Sequence, residues 1–145
     1  MSDVSTKIEG VDAIIRKLGK VEGVKHLRPP MQRSVYRLQG RMAQYPAQRP
    51  GSRYVRGQGM ANAQGVVTHR TSENLGKKWT SKVEQGNGII RGRVGNNASY
   101  APLVQSYRFQ ARIHRGLWQT DRYVMDTEHR TIVRDFENAI SEALR

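Results

Sequence analysis

Cysteine is absent from the 145 residues, which excludes a disulfide framework and a thiolate metal site alike. Large aromatic side chains are scarce, with two Phe and two Trp, so the expected core is modest. No apolar run approaches the roughly 20 residues needed to cross a bilayer, and the opening MSDVSTKIEG lacks the apolar stretch of a signal peptide. A protein made and kept in a cytoplasm, or in something assembled there, is the expectation. Acid is the scarcest chemistry of all: 12 Asp+Glu face 25 Lys+Arg for a net charge of +13, and none lies between Tyr45 and Thr71.

Catalytic signatures are missing too. The four histidines, His26, His69, His114 and His129, form no H-x-x-x-H pair and have no carboxylate at metal-ligand spacing. Neither GxGxxG nor GxxxxGK[ST] occurs, and Ser52 in Arg-Pro-Gly-Ser-Arg lacks the G-x-S-x-G frame of a nucleophile elbow. Asp135 and Glu137 fall on different sides of a helix, as solvated charges do. The expectation is a protein that is not an enzyme and carries no cofactor or metal.

What is present centres on Lys78 to Gln105. Trp79, Ser81, Val83 and Gln85 alternate with Thr80, Lys82 and Glu84, and after Gly86-Asn87-Gly88 a second run places Ile90, Gly92 and Val94 on one face. Asn-Gly between two such runs predicts a β-hairpin with a type I′ turn, whose two central residues need φ > 0. Beyond it, Ser99 is placed to cap a short helical turn containing Pro102.

A chain of this length suits one domain, residues 1–145. A short strand is expected over Val4 to Ile8. Val11, Ile14, Ile15 and Leu18 then give the stripe of a small helix. Leu27, Met31, Val35, Leu38 and Met42 follow spacings of 4, 4, 3 and 4, the seam of a longer helix with Pro29 and Pro30 at its first turn. From residue 45 to 71 the periodicity collapses into a long basic loop punctuated by Pro and Gly and carrying Arg49, Arg53, Arg56 and Arg70. Loops of such length commonly have a function. Tyr54 among those arginines is suited to stack on bases or to pin the loop on a neighbouring subunit, and the subunit contact is preferred because no helix or sheet platform is visible.

Residues 106 to 116 alternate Tyr107, Phe109, Ala111 and Ile113 with Arg108, Gln110, Arg112 and His114, which reads either as a third sheet strand or as an extended arm with an aromatic and an arginine face. A C-terminal helix begins near Thr120-Asp121, with Met125, Ile132, Phe136, Ile140 and Ala143 as its buried stripe and Val133 and Leu144 beside it. Residues 1–120 carry +15 and the last 25 residues −2. A basic body with an acidic helix fits either a nucleic-acid footprint or head-to-tail packing of basic on acidic faces between subunits. Of the bases 18 are Arg, which suits planar interface contacts.

Several local patterns together resemble a known family. Gly10-Val11-Asp12 precedes a short helix, and the long helix ends in Tyr45-Pro46. Arg49-Pro50-Gly51-Ser52-Arg53-Tyr54-Val55-Arg56 follows, then Thr71 with Leu75-Gly76-Lys77-Lys78-Trp79, then Asn97-Ala98-Ser99-Tyr100-Ala101-Pro102-Leu103-Val104-Gln105. These resemble the small neck and tail-completion proteins (minor tail components) of long-tailed bacteriophages, over roughly Ile8 to Ala143. Two features depart from that family: its uninterrupted Arg-Thr-Gly is split here between Arg56-Gly57 and Thr71, and Ser106-Tyr107 stands where a glycine is common.

The resemblance implies an α+β fold, a small antiparallel sheet with a central hairpin flanked by helices. It also implies no catalysis, a homo-oligomeric ring of six copies at the head-to-tail junction of a virion, and neighbouring neck and tail proteins as partners, with packaged double-stranded DNA in the channel and no membrane. On that reading Arg49, Arg53, Tyr54, Arg56, Arg70, Arg108 and Arg112 face a subunit or DNA, while Trp79, Tyr100, Trp118 and Phe136 are packing residues. The alternative is a free basic nucleic-acid-binding protein, which predicts duplex binding that weakens steeply with salt. The lack of a basic recognition helix counts against it.

Overall fold

The computed structural model describes residues 23–47, 51, 54–55, 59–69 and 74–145. The expected strand near Val4 and the helix after Val11 lie outside the described residues. The architecture is α+β, as the sequence predicts.

A single 3-10 turn, Gly23–Leu27, leads into helix α1, Arg28–Met42. Pro29 and Pro30 occupy its first turn, where the missing N–H has no intrahelical partner to lose. The expected seam holds: Val35 and Met42 are buried and Met31 and Leu38 half-buried. Ser34 is buried as well, and tolerates it because its hydroxyl donates to Pro30 O at 2.8 Å.

The stretch from 45 to 71, expected to be a loop without a sheet platform, contains three short strands: β1 (Tyr54–Val55), β2 (Gly59–Ala61) and β3 (Val67–His69), joined antiparallel in that order. Strands of two or three residues are too short to show alternation, so the sequence carries no periodic signal for them. A local signal does exist at the β2–β3 turn, where Asn62 Oδ1 accepts from Gln64 N and Val66 N and Gly65 sits at φ 79°.

The predicted hairpin is present. Strand β4 (Trp79–Gly86) pairs antiparallel with β5 (Ile89–Asn96) in unbroken register from Trp79↔Asn96 to Gly86↔Ile89. Asn87 and Gly88 adopt φ 50° and 73°, the left-handed pair that a type I′ turn requires. The inner face, Trp79, Ser81, Val83, Ile90, Gly92 and Val94, lies against α1. At Gly92 the approach is so close that an added Cβ would stand 2.6 Å from Met31 Sδ and 2.6 Å from Val35 Cγ1.

Helix α2, Ala101–Gln105, follows the hairpin with Pro102 in its first turn. The expected Ser99 cap is not made. Tyr100 takes the N-cap position without a side-chain bond, and the entry is closed instead by Asn96, whose Oδ1 accepts from Ala98 N and whose Nδ2 donates to Leu75 O.

Residues 106–116 form neither a strand nor an extended arm. Bonds from Gln110 N to Ser106 O, Ala111 N to Leu103 O and His114 N to Ala111 O curl them into turns and a 3-10 helix, Arg112–His114. The Gln110 amide locks this shape by donating to Val104 O and Trp118 O. Internal bonds of this kind satisfy the backbone locally, so no neighbouring strand is needed.

Helix α3, Asp121–Ala143, begins where predicted, with Thr120 Oγ1 accepting from Tyr123 N. Its inward stripe is turned from the expected one. Val124 is the fully buried residue, Ile132 and Phe136 are half-buried, and Met125, Val133 and Ile140 are exposed. The cause is electrostatic: the stripe toward α1 includes Glu128 and Asp135, which a reading by hydrophobicity alone assigns to solvent.

Helix α1 touches both hairpin strands and α3 and so lies between them. A second small cluster of Leu75, Ala98, Ala101 and Val104, with Trp118 packed on it, closes the base of the hairpin. There the Tyr45 and Trp118 rings meet edge to face with centroids 5.3 Å apart, and Tyr45 Oη accepts from Gly76 N.

Replacing Gly92 by Ala should cost about 1–3 kcal/mol, because Val35 is stiff and buried and has nowhere to move, whereas Gly95→Ala, with nothing near its Cβ, should stay within about 0.5 kcal/mol. Urea unfolding of the two variants measures the contrast.

Candidate functional site

Two surfaces and one internal interface account for the chemistry among the described residues. The internal interface comes first because it decides what charge remains outside. Arg41 Nε, which has no well-directed hydrogen bond, faces Glu128 Oε1 at 3.4 Å; Arg37 lies 3.8 Å from Glu128 and 3.9 Å from Asp135. The Glu128 side chain is only 13% exposed, while Arg37 is 42% and Arg41 32% exposed, so solvent reaches these pairs from the α1 side.

Two of the six acids in the last 25 residues are therefore turned inward onto α1. The four that remain exposed, Asp121, Asp126, Glu137 and Glu142, are matched by exposed Arg122, Arg130, Arg134 and Arg145. The outer surface of α3 is thus neutral. The acidic face that head-to-tail charge packing calls for is spent inside the subunit.

The first surface is an apolar groove of about 400 Å³ where the hairpin, α1, α2 and α3 converge, lined by Leu38, Met42, Trp79, Val94, Val124 and Pro102 among others. Phe109 at 65% exposure and Met125 at 48% stand on its lining; Tyr107, Ile113 and Tyr123 are exposed on the same two segments, and Leu103 on α2. The Arg122 guanidinium stacks 4.7 Å from the Tyr107 ring centroid.

The second surface is the outer face of the hairpin. The register sets Lys82 opposite Arg93 and Arg91 opposite Glu84, and all three bases are exposed, with Lys77 and Lys78 exposed at the foot of β4. Glu84 bridges Lys82 Nζ at 2.9 Å and Arg93 at 3.5 Å. The hydrogen bond from Lys82 and then the Arg93 charge hold its carboxyl below the ordinary carboxylate range. This contribution is present above the unfolded pKa and is lost as pH falls through the lowered one.

Of the residues singled out from sequence, Arg49, Arg53, Arg56 and Arg70 lie outside the described residues. Tyr54 is placed in β1, paired with Met60. Arg108 and Arg112 are exposed on the turns after α2, not on a strand or arm. Trp79 is half-buried and donates from Nε1 to Gln105 Oε1 at 3.2 Å. Trp118 and Phe136 are half-buried, while Tyr100 is exposed.

The residues missed are the hairpin bases, as a set, and the amides Gln39 and Gln105. The bases had a usable signal: the Asn-Gly turn fixes the register, and the register puts Lys82 beside Arg93. The amides had none, since Gln is usually a surface residue.

No protein-family model, no curated protein and no solved structure matches the chain. Among the described residues no group of His, Asp and Glu is arranged to hold a metal ion, and no helix is long and apolar enough to cross a membrane.

Burial holds the His114 imidazole below its ordinary value of 6.5. The unfolded chain therefore takes up its proton first, and stability should fall as pH drops below 6.5, levelling once the folded form is also protonated. Urea midpoints measured between pH 7.5 and 5 should fall less for His114→Gln than for the parent chain.

Proposed function

We propose that the chain is a structural virion protein of a tailed bacteriophage, one subunit of a ring at the head-to-tail junction that joins the tail to the DNA-filled head. The observation that carries this reading is the apolar groove with its uncovered rim. Phe109 and Met125 stand exposed on it, and Leu103 and Ile113 are exposed on the chain on either side of Phe109. Soluble monomers rarely leave large contiguous apolar patches uncovered, and such surfaces mark protein–protein contacts. The groove is also lined by Ala101, Pro102 and Gln105, part of one of the patterns that carry the resemblance to tail-completion proteins. In this reading the partners are further copies of the chain and the neighbouring neck and tail proteins, and the site of action is the virion neck.

The function requires rigidity more than chemistry, and the fold supplies it. The hairpin is tied to α1 by Gln39, whose amide donates to Trp79 O at 3.0 Å and accepts from Ser81 Oγ at 2.6 Å. It is tied to α2 by Gln105. A subunit held this way presents a fixed edge to its neighbours.

The test is electron microscopy of a lysate from the phage with a stop codon at Gln39. Filled heads beside detached tails are the expected outcome; intact infectious particles would remove the junction role.

A further inference from the structure

We propose that the outer face of the hairpin is a docking surface for the phosphate backbone of double-stranded DNA, with Lys82, Arg91 and Arg93 as its contacts and Glu84 as the residue that limits its affinity. The inference is independent of any ring: it concerns a face that each subunit carries alone.

Charge complementarity selects the partner. Lys82 and Arg93 sit directly opposite each other on a rigid ladder, an arrangement in which like charges destabilise the sheet. They stand 72% and 60% exposed. Arg91 and Arg93 are two positions apart on β5 and hence about 6.6 Å apart along one face, comparable with the spacing of successive phosphates. Glu84 is the single acid on this face and cannot neutralise three bases, and Lys77 and Lys78 extend the excess. A second copy of the chain offers no acidic surface to answer it among the described residues, because Glu128 and Asp135 are committed to Arg37 and Arg41.

Duplex is favoured over single-stranded nucleic acid by what the face lacks. Single strands are held by aromatic side chains on which bases stack, and the outward positions, Thr80, Lys82, Glu84, Ile89, Arg91 and Arg93, include none. A two-stranded ribbon is also an element that duplex grooves admit. The face thus has the means to grip a backbone and no platform for reading unstacked bases.

The experiment is fluorescence anisotropy of the purified full chain with a mixed-sequence 30-base-pair duplex and with the matching single strand, from 50 to 300 mM NaCl. The parent chain should bind the duplex more tightly than the single strand, with log Kd linear in log salt. K82Q/R91Q/R93Q should reduce the salt slope by about three units, while R130Q/R134Q/R145Q, the same loss of charge on the exposed side of α3, should leave it nearly unchanged. Glu84→Gln should tighten duplex binding while lowering the urea midpoint, an opposite pair of effects that a purely structural role for Glu84 would not produce.

Circular dichroism checks that each variant is folded. Because all three hairpin bases are exposed, their loss relieves repulsion and does not open the core. An unchanged slope in the hairpin triple variant, an equal loss in the control triple variant, tighter binding of the single strand, or no duplex binding at 50 mM NaCl would each overturn the proposal. None of these results bears on whether filled heads and detached tails separate in the lysate, so the two readings fail independently.

Discussion

The side chain of Gln105 joins three elements, α1, β4 and α2, at one point. It is 2% exposed, its Nε2 donates to Met42 O at 2.8 Å, and its Oε1 accepts from the Trp79 indole. Met42 O is one of the carbonyls that the end of α1 leaves without an intrahelical partner, and the indole N–H would otherwise be an unpaired donor at the start of β4. One neutral amide therefore caps a helix, anchors a strand and fixes α2 relative to both. A carboxylate in its place has no donor for the carbonyl, and an apolar residue leaves two polar groups unpaired, at about 1–3 kcal/mol for such a loss.

The same economy explains why so basic a chain has a stable centre. Amides of Gln39, Asn96 and Gln105 make long-range polar contacts, and that of Gln110 local ones, and none of them brings a charge that needs desolvating. Where charge does enter the interior, between α1 and α3, acids from one helix meet arginines from the other. This internal cancellation is the reason the surface of α3 is neutral while the hairpin's outer face keeps its excess.

Much of the fold was legible from periodicity and turn chemistry. The hairpin followed from Asn87-Gly88, α1 from the Leu27 to Met42 seam, and the start of α3 from Thr120. Reading failed where local pattern is silent or misleading. Strands β1 to β3 are too short to alternate, and residues 106–116 do alternate yet curl because Gln110 satisfies their backbone from within. In α3, hydrophobicity pointed to Met125 where the helix turns Val124 and Glu128 inward, since the facing helix offers arginines. The candidate site was legible only in part. Its arginine-rich character was plain, but which bases share a face depends on strand register, and the exposed rim of the groove depends on packing that no local pattern encodes.

The position of α1 between the hairpin and α3 also has a kinetic side. Among the described residues, most of its contacts are with segments that come later in the chain: the bond from Gln105 to Met42 spans 63 positions, and the pair of Arg37 with Asp135 reaches further still. Contacts of such separation slow folding, because loop closure must precede the reward. On the ribosome, α1 emerges early and its Met31 and Val35 seam waits for the hairpin strand that carries Gly92. The nascent chain carries an amphipathic helix without its hairpin until β5 is released and without α3 until the last residues follow, and the vulnerable interval in the life of this protein is its own translation.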